Sequence, residues 1–230
     1  MTHRNTQRPC DIVDQIIKIL CVGLVLFSLY TALFGVLPDI IQRGVHISII
    51  LLLVYLRAFS SSNVNTELSN PTLKKIKFIM LGSLAALAAG YQFLFYDEVV
   101  SRYGEITEFE VPIAIIAIIL LLDATRRIIG WSMVGLAIFF LAYAAFGRHF
   151  PDLVSHRGYD LERILEQVYL GADGIYGTPL GVSATFVIVI VVLGALLEKT
   201  GASGVLMDIA VAATKKSRGG PAKSAVIGSS

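Results

Sequence analysis

The residues best suited to a chemical or binding role are Asp123, Arg126 and Arg127, three charged side chains beside a long apolar stretch. An ionisable residue within a membrane segment is a candidate functional group, because a charge is costly in hydrocarbon. The arginines follow Asp123 by three and four residues, the spacing of neighbours on one helix face. An intrahelical ion pair near the membrane edge would therefore also explain all three. The same two interpretations apply to Glu198, which Lys199 follows.

Two glycine-proline breaks are the remaining candidates. Broken helices at membrane depth line cavities, and transporters place binding sites there. Two ordinary loop turns are equally compatible, since Gly and Pro are common in turns. The structural or gating candidates in these breaks are Gly177, Pro179, Gly181, Gly219, Gly220 and Pro221.

The sequence contains no arrangement typical of an enzyme or a metal centre. None of the four histidines stands at metal-ligand spacing from a carboxylate on a helix. Residues 219–224 (GGPAKS) are similar to a phosphate-binding loop only in part, because Ala222 stands where a glycine should precede the lysine. Two cysteines are too few for a disulfide framework. We therefore predict no catalytic residues, no bound cofactor and no metal site in this chain.

The composition favours a membrane protein. The chain has 230 residues, of which 55% are hydrophobic and only 16% charged, and its mean hydropathy is +0.73. Soluble domains carry about 25% charged residues. This deficit excludes a disordered chain, a collagen, a basic nucleic-acid-binding domain and an ordinary soluble enzyme. It predicts an all-α bundle whose outer surface faces the lipid bilayer, with no nucleic acid as partner.

Six segments are predicted to span the membrane, since a span needs about 20 mostly apolar residues. They are 19–37, 45–59, 78–96, 111–127, 128–146 and 182–197. The fourth reaches spanning length only if its helix continues beyond Leu122 to Arg127. The first has too long an apolar core for a signal peptide and lacks a cleavage site, so we predict that it is retained. Residues 205–214 are too few to span and predict a partial or tilted helix.

The basic residues predict a cytoplasmic N-terminus. With six spans, this orientation places most of the 19 basic residues in cytoplasmic segments, as the positive-inside rule expects. An amphipathic pattern over 158–170 predicts a helix on the outer membrane surface or against its neighbours, with a simple connector as the equal alternative. Gly82, Ala86 and Gly90 recur every four residues, which predicts a close helix-packing face.

Four motifs occur in order along the second half of the chain. They are residues 121–131 (LLDATRRIIGW), 174–185 (GIYGTPLGVSAT), 194–201 (GALLEKTG) and 218–223 (RGGPAK). Together they resemble fused permeases of the tripartite ATP-independent periplasmic (TRAP) transporters, of the TAXI-associated 4TM/12TM type. The resemblance covers about residues 120–230 by motif and rests on the span pattern alone over 1–119.

The resemblance implies a small four-helix membrane domain over 1–124 and the start of a large transport domain over 125–230. It implies sodium-driven import of organic acids such as carboxylates by an elevator-type movement, with sodium as the coupling ion and no other cofactor. It also implies a multi-pass protein of the bacterial inner membrane. The implied partners are a TAXI-type periplasmic binding protein, the remainder of the transport domain and lipid.

The ion- and substrate-binding residues are expected beyond Ser230, because the resemblance puts them in helical hairpins of which the first begins near Pro221. Residues 222–230 are small and apolar and end without a polar tail, so we expect the chain to be the N-terminal part of a larger permease. A non-transporting membrane scaffold or assembly protein is the alternative, since packed helices alone are compatible with it.

Acidic residues outnumber basic ones in the predicted outer loops. We therefore expect a docking binding protein to present a basic rim. The alternative is that the acidic excess merely accompanies the retention of basic residues inside. The predicted outer acids are Asp97, Glu98, Glu105, Glu108, Glu110, Asp152, Asp160, Glu162, Glu166 and Asp173.

Overall fold

The computed structural model describes residues 10–35, 37–62, 71–102, 105–151 and 154–214. The chain divides into two compact units, Met1–Thr185 and Phe186–Ser230. The second glycine-proline break, with Gly219, Gly220 and Pro221, lies outside the described residues.

The described residues form helices and contain no β-strand, which confirms the predicted all-α fold. The first unit contains α1 (Cys10–Phe34), α2 (Asp39–Ser62), α3 (Pro71–Leu94), α4 (Tyr96–Ser101), α5 (Glu110–Ile128), α6 (Trp131–Phe146), α7 (Leu161–Leu165) and α8 (Thr178–Val182). It also contains a 3-10 turn at Gly147–His149 and a π-helical turn at Glu166–Leu170, and the division between the units falls within a second π-helical turn, Ser183–Val187. The second unit contains α9 (Ile188–Lys199) and α10 (Ala202–Thr214).

Five helical stretches are long and apolar enough to cross a membrane. They are Val13–Phe34, Asp39–Ala58, Ile76–Leu94, Trp131–His149 and Thr178–Lys199. Many of their large apolar side chains are exposed. An apolar surface of this extent is stable where helix faces meet lipid and is rare on soluble monomers.

The predicted fourth span corresponds to α5, which continues beyond Leu122 and Arg127 to Ile128. Its 19 residues cover about 28 Å at 1.5 Å per residue. It differs from the five stretches above in its three charged side chains near the C-terminus, Asp123, Arg126 and Arg127. A helix of this length still crosses the hydrocarbon when those charged ends extend to the headgroups.

The boundaries of the first helix differ from the prediction. The helix begins at Cys10 rather than Ile19, because helical backbone continues past the apolar core and includes Asp14 and Lys18. It ends at Phe34, before the predicted boundary, because the next residue, Gly35, adopts a φ of +113°. Such left-handed backbone favours glycine and stops a helix.

The helices α2 and α3 pack closely along the predicted face of small residues. A Cβ atom added at Gly82 would lie 3.0 Å from the Cβ of Tyr55, and one at Gly90 would lie 3.1 Å from the Ser48 Oγ. Ala85, between these glycines on α3, is completely buried. Gly82 and Gly90 of the predicted face therefore lie in an intramolecular α2–α3 interface, whereas Ala86 is only half-buried.

The predicted helix over 158–170 is found as α7 and the following π-helical turn, packed against its neighbours. Tyr169 is completely buried in the same core as side chains from α2, α3 and α5. Helical spacing predicts Tyr159 and Leu161 on the apolar face, but both are exposed. The buried face instead carries Leu165 and, four residues later, Tyr169.

In the second unit, α10 confirms the helix predicted around 205–214 and begins slightly earlier, at Ala202. The preceding α9 contains no buried residue. Its exposed side chains are almost all apolar, among them Ile190, Val191 and Leu193. This is the composition of a helix that lies among other apolar surfaces rather than in water.

Candidate functional site

Arg43 connects α2 to the first glycine-proline break. Its Nη1 donates a hydrogen bond to the carbonyl oxygen of Tyr176 at 2.7 Å, and its Nη2 pairs with Asp39 Oδ2 at 2.5 Å. The guanidinium thus uses two separate nitrogens for two partners, one on its own helix and one far along the chain. We call Arg43, Tyr176 and Gly181 the α2–α8 junction.

The first break joins a series of turns, which ends at Tyr176, to the start of α8. Gly177 has extended backbone and precedes α8, whose first turn contains Pro179, where the missing N–H costs nothing. Gly181 lies directly beneath Arg43, since an added Cβ would be 2.8 Å from the arginine Nε. The break therefore packs its backbone against the α2 guanidinium.

Two tyrosines attach the segment before α8 to α3. The hydroxyl of Tyr169 donates to the Ala88 carbonyl oxygen at 2.5 Å, and that of Tyr176 donates to the Ala89 carbonyl oxygen. Gln92 donates in return to the Tyr169 carbonyl oxygen. Burial raises the pKa of both tyrosine hydroxyls, so both remain neutral donors.

A group of buried polar side chains accompanies this attachment. The His46 Nε2 lies 3.4 Å from the Ser183 Oγ, and Gln42 donates to the Thr31 hydroxyl at 3.4 Å. Among the described residues, Gln42 Oε1, His46 Nδ1 and the Gln92 Oε1 are buried without a hydrogen-bond partner. Buried polar atoms of this kind are commonly satisfied by ordered water.

Glu110, the first residue of α5, is a completely buried carboxylate. Arg102 donates to its two oxygens at 2.7 and 3.2 Å. The Thr107 backbone N–H donates at 2.8 Å and the Tyr91 hydroxyl at 3.0 Å. These four hydrogen bonds compensate for the lost hydration. A buried carboxylate needs such compensation in order to stay charged.

This environment keeps the Glu110–Arg102 pair ionised. Burial by itself opposes ionisation, but the hydrogen bonds from Arg102, Thr107 and Tyr91 outweigh it, so the pKa of Glu110 lies below its ordinary value. The hydrogen bond with Glu110 raises the pKa of Arg102. Both residues lie outside the five apolar stretches. The pair fixes the connection between α4 and α5.

Asp123 forms a second polar cluster, on α5. The Arg127 Nε donates to Asp123 Oδ2 at 2.7 Å, and the Tyr55 hydroxyl lies 3.1 Å from the same oxygen and 2.9 Å from the Leu120 carbonyl oxygen. The Arg127 guanidinium also lies 5.2 Å from the ring centre of Phe78. The predicted intrahelical ion pair is therefore confirmed for these two residues, with α2 and α3 as its surroundings.

Two other predicted ion pairs are not formed. Arg126 does not contact Asp123 but lies over the Trp131 ring, 4.9 Å from its centre, because that ring stands at the start of the next helix. Glu198 is exposed, and it forms no ion pair with Lys199 within the described part of the chain. Consecutive residues of a helix point in different directions.

An apolar cavity of about 830 Å³ lies between α5, α6 and residues 159–175. Its polar lining side chains are Arg163, Gln167 and Asp173. Among the described residues, no structural or gating candidate predicted from the sequence lines this cavity. A lining of this chemistry suits an apolar chain better than a hydrated ion.

The two most informative polar residues, Arg43 and Glu110, were not among the predicted site residues. A local signal existed for Glu110, because Thr107 and Glu110 have the spacing of a capping box, whose glutamate accepts a hydrogen bond from the N-cap backbone. For Arg43 the sequence shows only the i,i+4 pair with Asp39. Its partner Tyr176 is determined by tertiary packing.

The five apolar stretches and the buried polar contacts between helices define a multi-pass α-helical membrane protein. Residues 116–230 match the family described as the DctM component of the tripartite ATP-independent periplasmic transporter. No curated protein and no solved structure matches the chain. The chain belongs to the DctM family of TRAP transporter permease components, as the motifs predicted. This family is one of transporters, not of enzymes, and its members work with a periplasmic binding protein and other transporter components.

Proposed function

We propose that this chain is part of a sodium-coupled secondary transporter that imports organic acids, such as carboxylates, across the bacterial inner membrane. A TAXI-type periplasmic binding protein delivers the substrate, and the remainder of the transport domain holds the ion and substrate residues. The family match over residues 116–230 carries this proposal, because it identifies a TRAP permease component. Sodium is the coupling ion, and no other cofactor is required.

In this proposal, residues 1–124 form the small membrane domain and residues 125–230 begin the transport domain. The contacts that cross residue 124 support a fixed attachment between the two, since α2 and α3 hold Tyr169 and Tyr176 through hydrogen bonds. In this proposal the first glycine-proline break is a fixed junction between residues 1–124 and the start of the transport domain.

Uptake by reconstituted transporter tests this proposal. Proteoliposomes contain this chain with its other transporter components, and uptake of a panel of radiolabelled mono- and dicarboxylates is measured. We expect uptake only with an inward sodium gradient and with the binding protein outside. Uptake that persists when potassium replaces sodium contradicts the coupling, and uptake without the binding protein contradicts the delivery step. A scaffold would give no uptake under any condition.

A further inference from the structure

The connection before α5 presents an exposed phenylalanine between acidic side chains. Phe109 is 87% exposed, more than any other large apolar side chain among the described residues. Glu105 and Glu108, close to it in the chain, are exposed as well. We call these three residues the acidic edge. Most of the apolar surface of the ring is therefore available for contact with a partner.

The backbone of the acidic edge is held in place from both sides. The Glu105 N–H donates to the Arg102 carbonyl oxygen at 3.1 Å, and the Glu110 N–H donates to the Thr107 carbonyl oxygen at 2.9 Å. Ile106 packs its side chain against the core. Together with the buried Glu110 carboxylate, these contacts preorganise the edge, which lowers the entropy lost when a partner binds.

Six of the predicted outer acids fall into two groups, while Asp152 lies outside the described residues. Glu110 and Glu166 are paired with Arg102 and Arg163, so they contribute little free negative charge. Within the described part of the chain, Glu105 and Glu108 form no ion pair. The same holds for the two acids of the neighbouring helix α4, which are Asp97 and Glu98. The acidic edge is therefore negative after all its internal pairs are counted.

An exposed ring at the end of a membrane helix can meet either lipid headgroups or a protein. Carboxylates are costly to bring into hydrocarbon, so Glu105 and Glu108 beside the ring oppose its insertion there. A protein with a basic surface is instead attracted by these two carboxylates. Phenylalanine is among the side chains enriched in protein interfaces, whose rim is polar.

We propose that the acidic edge is a docking surface for the periplasmic binding protein, which offers an apolar pocket to Phe109 and basic side chains to Glu105 and Glu108. This inference rests on the proposed function and on the predicted outer location of the α4–α5 connection. Phe109 sets the lifetime of the complex, because its ring is desolvated on binding. The two carboxylates set the rate of encounter, because long-range attraction acts before contact.

Binding kinetics of the complete transporter test the proposal. The transporter is held in nanodiscs on a sensor, and its purified binding protein is the probe. We expect Phe109→Ala to weaken binding by about 10-fold or more, mostly through faster dissociation. We expect the pair Glu105→Gln with Glu108→Gln to slow association several-fold at low salt and to reduce its salt dependence.

Matched controls keep the test specific. Phe186→Ala removes a phenylalanine of similar exposure from within an apolar stretch, and Glu198→Gln removes an exposed carboxylate on the predicted inner side. Both should bind as the wild type does. Thermal unfolding of every variant in the same nanodiscs shows whether the fold is kept. Phe109 and Glu105 are exposed, so their substitution should leave the unfolding temperature unchanged.

The outcomes separate this proposal from the function on which it rests. If the Phe109→Ala and double-glutamine variants bind with wild-type kinetics, the docking proposal is contradicted and the proposed transport function is not. A lower unfolding temperature for Phe109→Ala with unchanged binding assigns the ring to lipid and also contradicts it. A wild-type transporter that neither binds the binding protein nor requires it for uptake contradicts both proposals.

Discussion

Arg43 donates a hydrogen bond to the carbonyl oxygen of Tyr176 at 2.7 Å, although 133 residues separate the two in the chain. The same guanidinium pairs with Asp39 and leaves no room for a side chain at Gly181. Gly181 belongs to a motif in the part of the chain that matches the family, whereas Arg43 lies outside that part. The position of the arginine thus explains why residue 181 is a glycine. The glycine is needed for close approach, not for an unusual backbone angle.

Substitution of Gly181 by alanine should loosen the α2–α8 junction. The new Cβ would lie 2.8 Å from the Arg43 Nε, so the guanidinium must shift, and we expect the shift to weaken its bond to Tyr176. We expect a loss of about 1–2 kcal/mol, the contribution of a hydrogen bond from a charged donor. Thermal unfolding in detergent micelles measures it.

Gly194→Ala is the matched control for this change. Nothing lies within 4 Å of a Cβ at residue 194, and alanine is a better helix former than glycine. This variant should be as stable as the wild type or slightly more stable. A Gly181→Ala variant as stable as Gly194→Ala would show that Arg43 adapts without cost and would contradict the prediction.

The Glu110 carboxylate should make stability dependent on acid pH. Its pKa in the folded protein lies below the ordinary value of 4.5, so its stabilising effect is complete above that value. This contribution is lost as the pH falls through the lower, folded-state pKa. As the pH falls from about 6 to about 3, the unfolded chain takes up a proton at Glu110 more readily than the folded protein does. We therefore expect the unfolding temperature to decrease over this range.

Glu110→Gln and Glu108→Gln separate the buried carboxylate from the exposed one. Glu110→Gln should be less stable at neutral pH by about 1–2 kcal/mol, because Arg102 loses a charged acceptor while it remains partly hydrated. It should also show a shallower dependence on acid pH. Glu108→Gln should keep the wild-type curve, since its side chain is exposed. Identical curves for all three proteins contradict the role of Glu110.

The Tyr55 hydroxyl should be energetically coupled to Asp123. It lies 3.1 Å from the carboxylate, to which Arg127 also donates. In a double-mutant cycle of Tyr55→Phe with Asp123→Ala, we expect a coupling of about 0.5–1 kcal/mol. Unfolding of the purified protein in micelles provides the four values. Tyr30→Phe removes an exposed hydroxyl, so its effect should simply add to that of Asp123→Ala.

The predicted orientation can be tested with reporter fusions at two positions. A reporter after Lys77, at the start of the Ile76–Leu94 stretch, should be cytoplasmic, and one after Glu105 should be periplasmic. Alkaline phosphatase and green fluorescent protein give opposite readouts at each position. The reversed pattern would contradict the positive-inside assignment and would put the acidic edge on the wrong side for a binding protein.

The helices and the family were predictable because their signals are local. Hydropathy and residue spacing predicted most of the helices, and the small residues of α3 predicted its packing face. The helix boundaries were less accurate at α1, where helical backbone continues through Asp14 and Lys18. The pattern over 158–170 failed at Tyr159 and Leu161, which are exposed, because the packed face begins only at Leu165 and continues to Tyr169.

The sequence by itself determined that this is an all-α membrane protein of the DctM family, since composition and ordered motifs need no partner in space. Only the tertiary structure decided which charged residues are internal. Glu108 and Glu110 are two acids of one predicted outer loop, yet the first is exposed and the second is buried among Arg102, Tyr91 and Thr107. The physical reason is that burial of a carboxylate requires donors from several elements, and only folding brings those donors together.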